Sequence, residues 1–108
     1  QDYLFSFTVE PFMLEQNGVL ANGVLTEILT RITQQLMVNS GRSLIIDQLM
    51  IYFFQAVQID DLLHIQPRII RQTRRTAIID FEMYLEAMLV AKATITVKII
   101  KKRNLEKE

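Results

Sequence analysis

Residues 22–38, NGVLTEILTRITQQLMV, decide the fold, because they contain a long apolar stripe with helical spacing. Intervals of three and four residues predict an amphipathic helix, and its apolar positions are Leu25, Ile28, Leu29, Ile32 and Leu36. Asn22 suits the N-cap, since its side-chain oxygen can accept a backbone N–H from the first turn. Gly41 is the residue type that ends helices without a steric penalty. Such a helix is about 25 Å long and can cross a sheet of several strands.

The composition bounds the class of protein. The chain has 108 residues, of which 50% are hydrophobic, and its formal net charge is +0. This predicts one domain with a core of its own. The zero net charge argues against a nucleic-acid partner bound through phosphate neutralisation. Without cysteine there are no disulfides or thiolate metal ligands, and with His64 as the single histidine we expect no metal site.

The two ends of the sequence carry further expectations. No apolar run reaches the roughly 18–20 residues of a membrane span, and no basic-then-apolar leader follows Gln1. We therefore expect a cytoplasmic protein without membrane contact. Because the sequence does not start with Met, we interpret it as a fragment of a longer multidomain protein. A single domain is predicted at residues 1–103, and the charged residues 104–108 are expected to fray.

Most of the remaining chain has the pattern of strands. Residues 3–9, 63–69, 76–85 and 89–99 alternate apolar and polar side chains. In the last two segments the alternating apolar faces both fall at odd positions, so Phe81 is expected to pair with Ala93, and the turn needs three residues or a bulge. Pro67 predicts a bulge or an unpaired N–H within its strand. Ala91 and Ala93 are small enough to let a helix approach the sheet.

The segment that begins at Ser43 and ends at Phe54 is apolar with little alternation, which is typical of a strand covered on both faces. A helix covers only one face of a single sheet, so we expect a second copy to supply the other cover. The prediction is a homodimer through this strand, with a higher oligomer left open. Asp47 interrupts the segment, and a carboxylate buried there would be paired or functional. A cross-dimer hydrogen bond or exposure at the sheet edge is the alternative.

The predicted element order is β-α-β-β-β-β. It defines an α+β protein in which an antiparallel sheet wraps around one long central helix, the hot-dog fold.

Three stretches resemble the hot-dog thioesterase superfamily: NGVLANGVL at residues 17–25, YFFQAVQIDD at 52–61 and LVAKA at 89–93. They are similar to that superfamily's helix entry, its passage out of the second strand and its last strand. More narrowly, the sequence resembles the C-terminal hot-dog domain of bacterial regulatory proteins that also carry DRTGG and CBS domains.

The resemblance implies that a coenzyme A ester binds at the interface of a dimer, with its carbonyl at the helix N-terminus. Free N–H groups of a first helical turn are suitable donors to a carbonyl oxygen. The ligand-binding residues implied at this entry are Asn17, Gly18, Asn22, Gly23 and Val24. The basic cluster Arg71, Arg74 and Arg75 is similar to the region that meets the nucleotide phosphates, and guanidinium groups suit phosphate. An ordinary solvated turn is the alternative for this cluster.

The same resemblance leaves open whether the protein is an enzyme. In members that hydrolyse thioesters, an Asp or Glu acts as base or nucleophile, and the resemblance aligns those positions with Val19 and Thr30. Neither can abstract a proton from water near neutral pH. Glu27 and Asp47 remain as catalytic candidates, although Glu27 is placed to form a surface i,i+4 pair with Arg31.

Three functions follow. The first is a regulatory, non-catalytic domain that binds an acyl-CoA as a dimer, with no other cofactor. The second is an acyl-CoA thioesterase that uses Glu27 or Asp47. The third is a dimerisation module without any ligand.

Overall fold

A computed structural model describes residues 5–15, 20–37 and 42–101. The described elements are β1 (Phe5–Thr8), a 3-10 turn (Pro11–Met13), α1 (Asn22–Leu36), β2 (Arg42–Phe53), β3 (Leu62–Gln72), β4 (Thr76–Leu85) and β5 (Met88–Lys101). The five strands form one antiparallel sheet in the order β1-β3-β4-β5-β2. The predicted order of one strand, one helix and four strands is confirmed.

The core lies between the helix and one face of the sheet. Leu25, Leu29 and Ile32 are buried on α1, as the apolar stripe predicts, while Ile28 and Leu36 pack against the core half-buried. Among the strands, the edge strand β2 comes closest to the backbone of α1. The sheet contributes alternate positions of β4 and β5, with Phe81 at the centre. Ala91 and Ala93 belong to the same core.

The ends of the helix differ from the prediction. Ala21, not Asn22, is the N-cap, because Ala21 has an extended backbone and its carbonyl oxygen accepts the N–H of Leu25 at 3.1 Å. Asn22 is the first residue inside the helix. At the other end α1 stops at Leu36, and the backbone N–H of Met37 still donates to the carbonyl oxygen of Thr33 at 3.1 Å. The predicted stop at Gly41 lies outside the described residues.

The hairpin between β4 and β5 has the predicted register. Phe81 pairs with Ala93, and Leu85 with Met88, so a register shift separates the two pairs. Val90 is the extra residue of a bulge at this shift. Because of this extra residue, a two-residue turn can join two strands whose apolar faces are both at odd positions. Of the two alternatives predicted at Pro67, the bulge is wrong, because Pro67 stays in register opposite Phe81 and the shift falls at Ile70.

Strand β2 is an edge strand of the sheet, and in the single chain only one of its faces is covered. Cover of the other face is expected from a second copy, and that part stays a prediction. Alternation is present, but a bulge at Asp47 shifts its phase. The half-buried positions are Leu44 and Ile46 before the bulge and Leu49, Ile51 and Phe53 after it.

Candidate functional site

The helix entry is fixed by the chain that precedes it. The backbone N–H of Ala21 donates to the carbonyl oxygen of Met13 at 2.7 Å, and Leu14 pairs with Leu20 in a short antiparallel bridge. Since the first intrahelical bond is that of Leu25, the N–H groups of Asn22, Gly23 and Val24 have no partner inside the helix. These three donors carry the partial positive charge of the helix N-terminus.

An apolar groove lies beside this entry. Its volume is about 170 Å³, and Leu20 lines it together with the end of β2 and the residues that follow, namely Phe53, Phe54, Gln55, Ala56 and Val57. Leu20 is 1% exposed and Val57 is 3% exposed, whereas Phe54 is 57% exposed. The groove therefore has a buried base and an exposed rim.

The β5 bulge holds the other side of the groove. The carbonyl oxygen of Val90 accepts backbone hydrogen bonds from Phe54 at 2.8 Å and Gln55 at 3.4 Å. A bulge changes the direction of the backbone groups of its extra residue. Here the carbonyl group of that residue connects the end of β2 to the start of β5. Both sides of the groove are thus held by backbone hydrogen bonds.

The arginine cluster lies elsewhere in the chain. Arg71 is near the end of β3, and Arg74 and Arg75 lie in the turn before β4, all three exposed. Thr73 shapes this turn: its hydroxyl oxygen accepts the N–H of Arg75 at 3.2 Å and of Thr76 at 3.0 Å.

Within one chain the helix entry and the arginines are far apart. The groove lies at Phe53, which pairs with Ala91 near the start of β5. The carbonyl oxygen of Arg75 instead accepts the N–H of Ile99 at 2.7 Å, near the end of β5. Ala91 and Ile99 are roughly 27 Å apart along an extended strand. A single copy therefore does not bring these two groups of predicted ligand-binding residues together.

The other predicted site residues fall into two groups. Gly23 and Val24 lie in the first turn of α1, where Gly23 is exposed and a Cβ added to it would meet no atom within 4 Å. Asn17, Gly18 and Val19 lie outside the described residues, as does the side chain of Asn22.

Neither candidate carboxylate is buried. Glu27 lies on the exposed side of α1, where its side chain is 61% exposed and pairs with Arg31 at 3.4 Å. Asp47 is exposed at the β2 bulge, 3.8 Å from the amine of Lys98. Asp47 is thus exposed at the sheet edge in the single chain, while its burial or hydrogen bonding across a dimer stays a prediction. Thr30 is half-buried in the middle of α1.

The outer face of the sheet is polar between β3 and β5. A groove of about 330 Å³ is lined there by Gln66, Arg68, Asp80, Glu82, Tyr84 and Lys92. Hydroxyl groups hold its carboxylates: Thr94 donates to Asp80 at 2.9 Å and Tyr84 to Glu82 at 3.0 Å. His64 lies half-buried on the same face, opposite Tyr84.

Two kinds of feature are absent from the described residues. No three His, Asp or Glu side chains come together as possible metal ligands in residues 5–15, 20–37 and 42–101. In the same part of the chain, no helix has the length and apolar character needed to cross a membrane.

Sequence reasoning missed the residues that form the base of the groove. Leu20 and Val57 lie outside the predicted helix and strands, where hydrophobic periodicity gives no signal. Val57 is a β-branched apolar residue in the turn that follows β2, and an apolar residue of this size in a turn is the signal that could have identified it.

Comparisons with known proteins agree with the fold. A hypothetical thioesterase of Streptococcus pneumoniae TIGR4, crystallised with coenzyme A, superposes with a TM-score of 0.78 at 25% identity over 92% of this chain and 78% of that one. The protein smu.793 of Streptococcus mutans UA159, bound to acetyl-CoA, gives a TM-score of 0.79 at 23% identity, over 92% of this chain and 81% of its own. The chain thus has the hot-dog fold of the thioesterase superfamily, as predicted.

Sequence comparison adds one relative. Over 100 residues the chain is 27% identical to YtoI of Bacillus subtilis strain 168, which is described as uncharacterized. The match covers 92% of this chain but 23% of that protein, so the chain spans about a quarter of its relative. No protein-family model matches the chain.

Proposed function

We propose that this domain binds an acyl-CoA thioester as a dimer and that the ligand regulates the protein rather than being hydrolysed. The observation that carries the proposal is the helix entry, where three backbone donors follow closely in the chain after Leu20, which lines an apolar groove. A thioester needs both features, since its carbonyl oxygen accepts hydrogen bonds while its acyl chain avoids water. The coenzyme A and acetyl-CoA bound by the two structural neighbours support the ligand class.

The proposed dimer forms through the free edge of β2. This strand is 12 residues long and carries exposed Ile45, Met50 and Tyr52. A long apolar edge is prone to pair with another chain. Pairing with an identical β2 satisfies its backbone groups and lengthens the sheet, and a two-fold axis makes such a contact self-complementary.

Antiparallel pairing of two β2 strands would also complete the ligand site. The end of one β2, with its groove, would then lie beside the start of the other, and Ser43 at that start pairs with Ile100 of β5. The turn with Arg74 and Arg75 is about two strand spacings further on, roughly 10 Å. The arginines of a second copy would thus lie on the same side as the helix entry of the first, within reach of nucleotide phosphates.

The absence of catalysis is proposed from the carboxylates. Glu27 is exposed and held by Arg31, and Asp47 is roughly 20 Å from Phe53 along β2. Neither is buried beside the groove where an attacking water would have to be activated. Occupancy of the site would then act on attached domains, as in the resemblance to DRTGG and CBS proteins. The match to 23% of YtoI is compatible with such a context.

Calorimetric titration of the protein with coenzyme A and acetyl-CoA tests the proposal. We expect one ligand per copy and a dissociation constant below the millimolar range. Equal heats with and without protein for both compounds at millimolar concentration would contradict it.

A thioesterase is the second candidate, because the pneumococcal neighbour is described as one and because Glu27 lies one turn after Gly23 on the same exposed stripe of α1. Thiol release from acetyl-CoA separates the two functions. We expect no turnover in the wild type or in Glu27→Gln and Asp47→Asn. Turnover that is lost in one of these variants would make the protein an enzyme.

A further inference from the structure

The polar groove on the outer face of the sheet holds charges that the proposed function does not use. Arg68 of β3 is the register partner of Asp80 of β4, and Glu82 of β4 is the partner of Lys92 of β5. Side chains directly opposite each other on neighbouring strands are close enough to form ion pairs. Among the described residues, however, neither of these two cations lies within 4.0 Å of a carboxylate oxygen. Two pairs of opposite charges therefore line this groove without contact.

Hydroxyl groups keep the carboxylates away from these cations. The hydroxyl of Thr94 donates to Asp80 at 2.9 Å, and Thr94 lies on β5, on the side of β4 opposite to Arg68. The hydroxyl of Tyr84 donates to Glu82 at 3.0 Å, so this carboxylate is held along β4 and not toward the lysine on β5. Each carboxylate thus has one oxygen in a hydrogen bond with a hydroxyl, and its other oxygen can accept from a ligand.

A ligand that carries both charges matches a cation and a carboxylate separated in this way. A guanidinium group binds a carboxylate through two parallel hydrogen bonds, and a carboxylate oxygen accepts from an ammonium group. An α-amino acid presents its carboxylate and its ammonium on one carbon atom, so it can bridge Arg68 and Asp80. A simple anion or cation would meet one repulsive charge for each attractive one. A neutral sugar would gain no bond in which both partners are charged.

The second pair of charges lies within reach of the side chain of such a ligand. Glu82 and Lys92 are one row further along the strands, roughly 7 Å from the first pair. Gln66 is half-buried in the same row. A side chain as long as that of glutamine or lysine spans this distance and finds both donors and acceptors there. The groove volume of about 330 Å³ lies in the range of small-molecule sites.

We infer that the outer groove binds a free α-amino acid with a long polar side chain. The carboxylate of the ligand lies on Arg68, its ammonium group on Asp80, and its side chain reaches the row of Glu82 and Lys92. This site lies on the face of the sheet opposite to α1. It is therefore distinct from the proposed acyl-CoA site and does not depend on it.

Calorimetric titration of the protein with the standard amino acids tests the inference. We expect glutamine or another long polar amino acid to bind with a dissociation constant in the millimolar range or below. N-acetylglutamine lacks the ammonium group and glutaminamide lacks the carboxylate, so each should bind about ten-fold more weakly than glutamine, or weaker still. The inference is overturned if no amino acid binds at millimolar concentration or if the two derivatives bind as tightly as glutamine. It also fails if glucose or succinate binds as tightly as the best amino acid, which would indicate a site for a polyol or a simple anion.

Arg68→Gln and Asp80→Asn assign the two ends of the ligand. Each variant removes one charge but keeps a polar side chain, and each should weaken glutamine binding about ten-fold or more. Arg68→Gln should not weaken glutaminamide further, and Asp80→Asn should not weaken N-acetylglutamine further, because each derivative already lacks the group concerned. Equal losses for both derivatives in both variants would indicate a general structural effect and contradict the assignment.

Arg31→Gln is the matched control for these variants. Arg31 is an exposed arginine on α1, on the other face of the sheet, so its replacement should leave glutamine binding unchanged. An equal loss in Arg31→Gln would contradict the site. If a groove variant does not fold, the wild-type titrations with glutamine and its two derivatives decide.

Titration of the same proteins with acetyl-CoA separates this inference from the proposed function. Because the two sites lie on opposite faces of the sheet, Arg68→Gln and Asp80→Asn should not change the affinity for acetyl-CoA. Binding of glutamine without binding of acetyl-CoA contradicts the proposed function alone. Binding of acetyl-CoA without binding of any amino acid contradicts this inference alone.

Discussion

At the scale of single residues, Glu86 is under backbone strain. It lies in the turn between β4 and β5, and its φ is 54°. This is a left-handed backbone conformation, which is unfavourable for every residue that has a Cβ. Glycine adopts this conformation without penalty, so Glu86→Gly is expected to raise the free energy of unfolding by about 0.5–1 kcal/mol. Urea denaturation followed by circular dichroism measures the change.

Ala87 provides the control for this prediction. It is the other turn residue, it is also exposed, and its φ is not positive. Ala87→Gly gains no relief of strain and adds freedom to the unfolded chain, so it should lower the free energy of unfolding by roughly 0.5–1 kcal/mol. Two glycine variants with effects of the same sign would show that strain at Glu86 is not the cause.

Arg74 and Arg75 support a second prediction at this scale. If they bind nucleotide phosphates, Arg74→Ala combined with Arg75→Ala should weaken acetyl-CoA binding at least ten-fold, since a hydrogen bond to a charged group contributes about 1.5–3 kcal/mol. Binding of acetyl-pantetheine, which lacks the nucleotide, should not change. Calorimetry with both ligands measures the difference.

Arg68→Ala is the matched variant for the arginine pair. Arg68 is an exposed arginine on the outer face of β3, in the polar groove rather than in the turn. It should leave both affinities within two-fold of the wild type. An equal loss with Arg68→Ala would point to a general effect of positive charge and not to a phosphate site.

At the scale of elements, β2 shows why its alternation is hidden in the sequence. Before the bulge at Asp47 the covered positions are even-numbered, Leu44 and Ile46. After it they are odd-numbered, Leu49 and Ile51. A reader of the sequence sees apolar residues of both parities and infers cover on both faces. The hydrogen bonds that place the bulge are with β5, some fifty residues later in the chain, so a local pattern cannot reveal it.

This phase shift predicts opposite sensitivities on the two sides of Asp47. Ile46→Ala and Leu49→Ala, at covered positions, should each lower the free energy of unfolding by about 2 kcal/mol. Ile45→Ala and Met50→Ala, at exposed positions, should cost less than about 1 kcal/mol. In a regular strand without the bulge, Ile46 and Met50 would lie on the same face, and alanine at either position would lower the free energy of unfolding. Urea denaturation at one protein concentration distinguishes the two patterns.

Other elements could be predicted to different extents. The helix and the register of Phe81 with Ala93 follow from periodicity, because their apolar residues share one face. The N-cap could not be predicted, since Ala21 is fixed by Met13 through a contact between segments. The same holds for the site: the helix entry could be located in the sequence, but its apolar neighbours Leu20 and Val57 are brought together only by the folded chain.

At the scale of the whole molecule, the proposed dimer gives a prediction for its assembly. Met50 is 51% exposed on the edge strand β2, so Met50→Lys would place like charges near each other across the proposed interface and should shift the protein to monomer. Met88→Lys is the control, because Met88 is 42% exposed but lies at the β4–β5 turn. Sedimentation velocity over a hundred-fold concentration range measures the change. A wild-type monomer throughout, or equal dissociation of both variants, would contradict the interface.

The division of the ligand site between two copies leads to a prediction by mixing. Ala56→Trp should block the groove from its exposed rim, and Arg74→Glu with Arg75→Glu should repel the phosphates, so neither protein alone binds acetyl-CoA tightly. If one copy supplies the groove and the other the arginines, a heterodimer of the two variants contains one intact site and one doubly defective site. After equimolar mixing and exchange of subunits, half of the dimers are heterodimers, and about a quarter of all sites should bind in calorimetry. A site contained within one chain would recover none, because every copy in the mixture then carries one of the two defects.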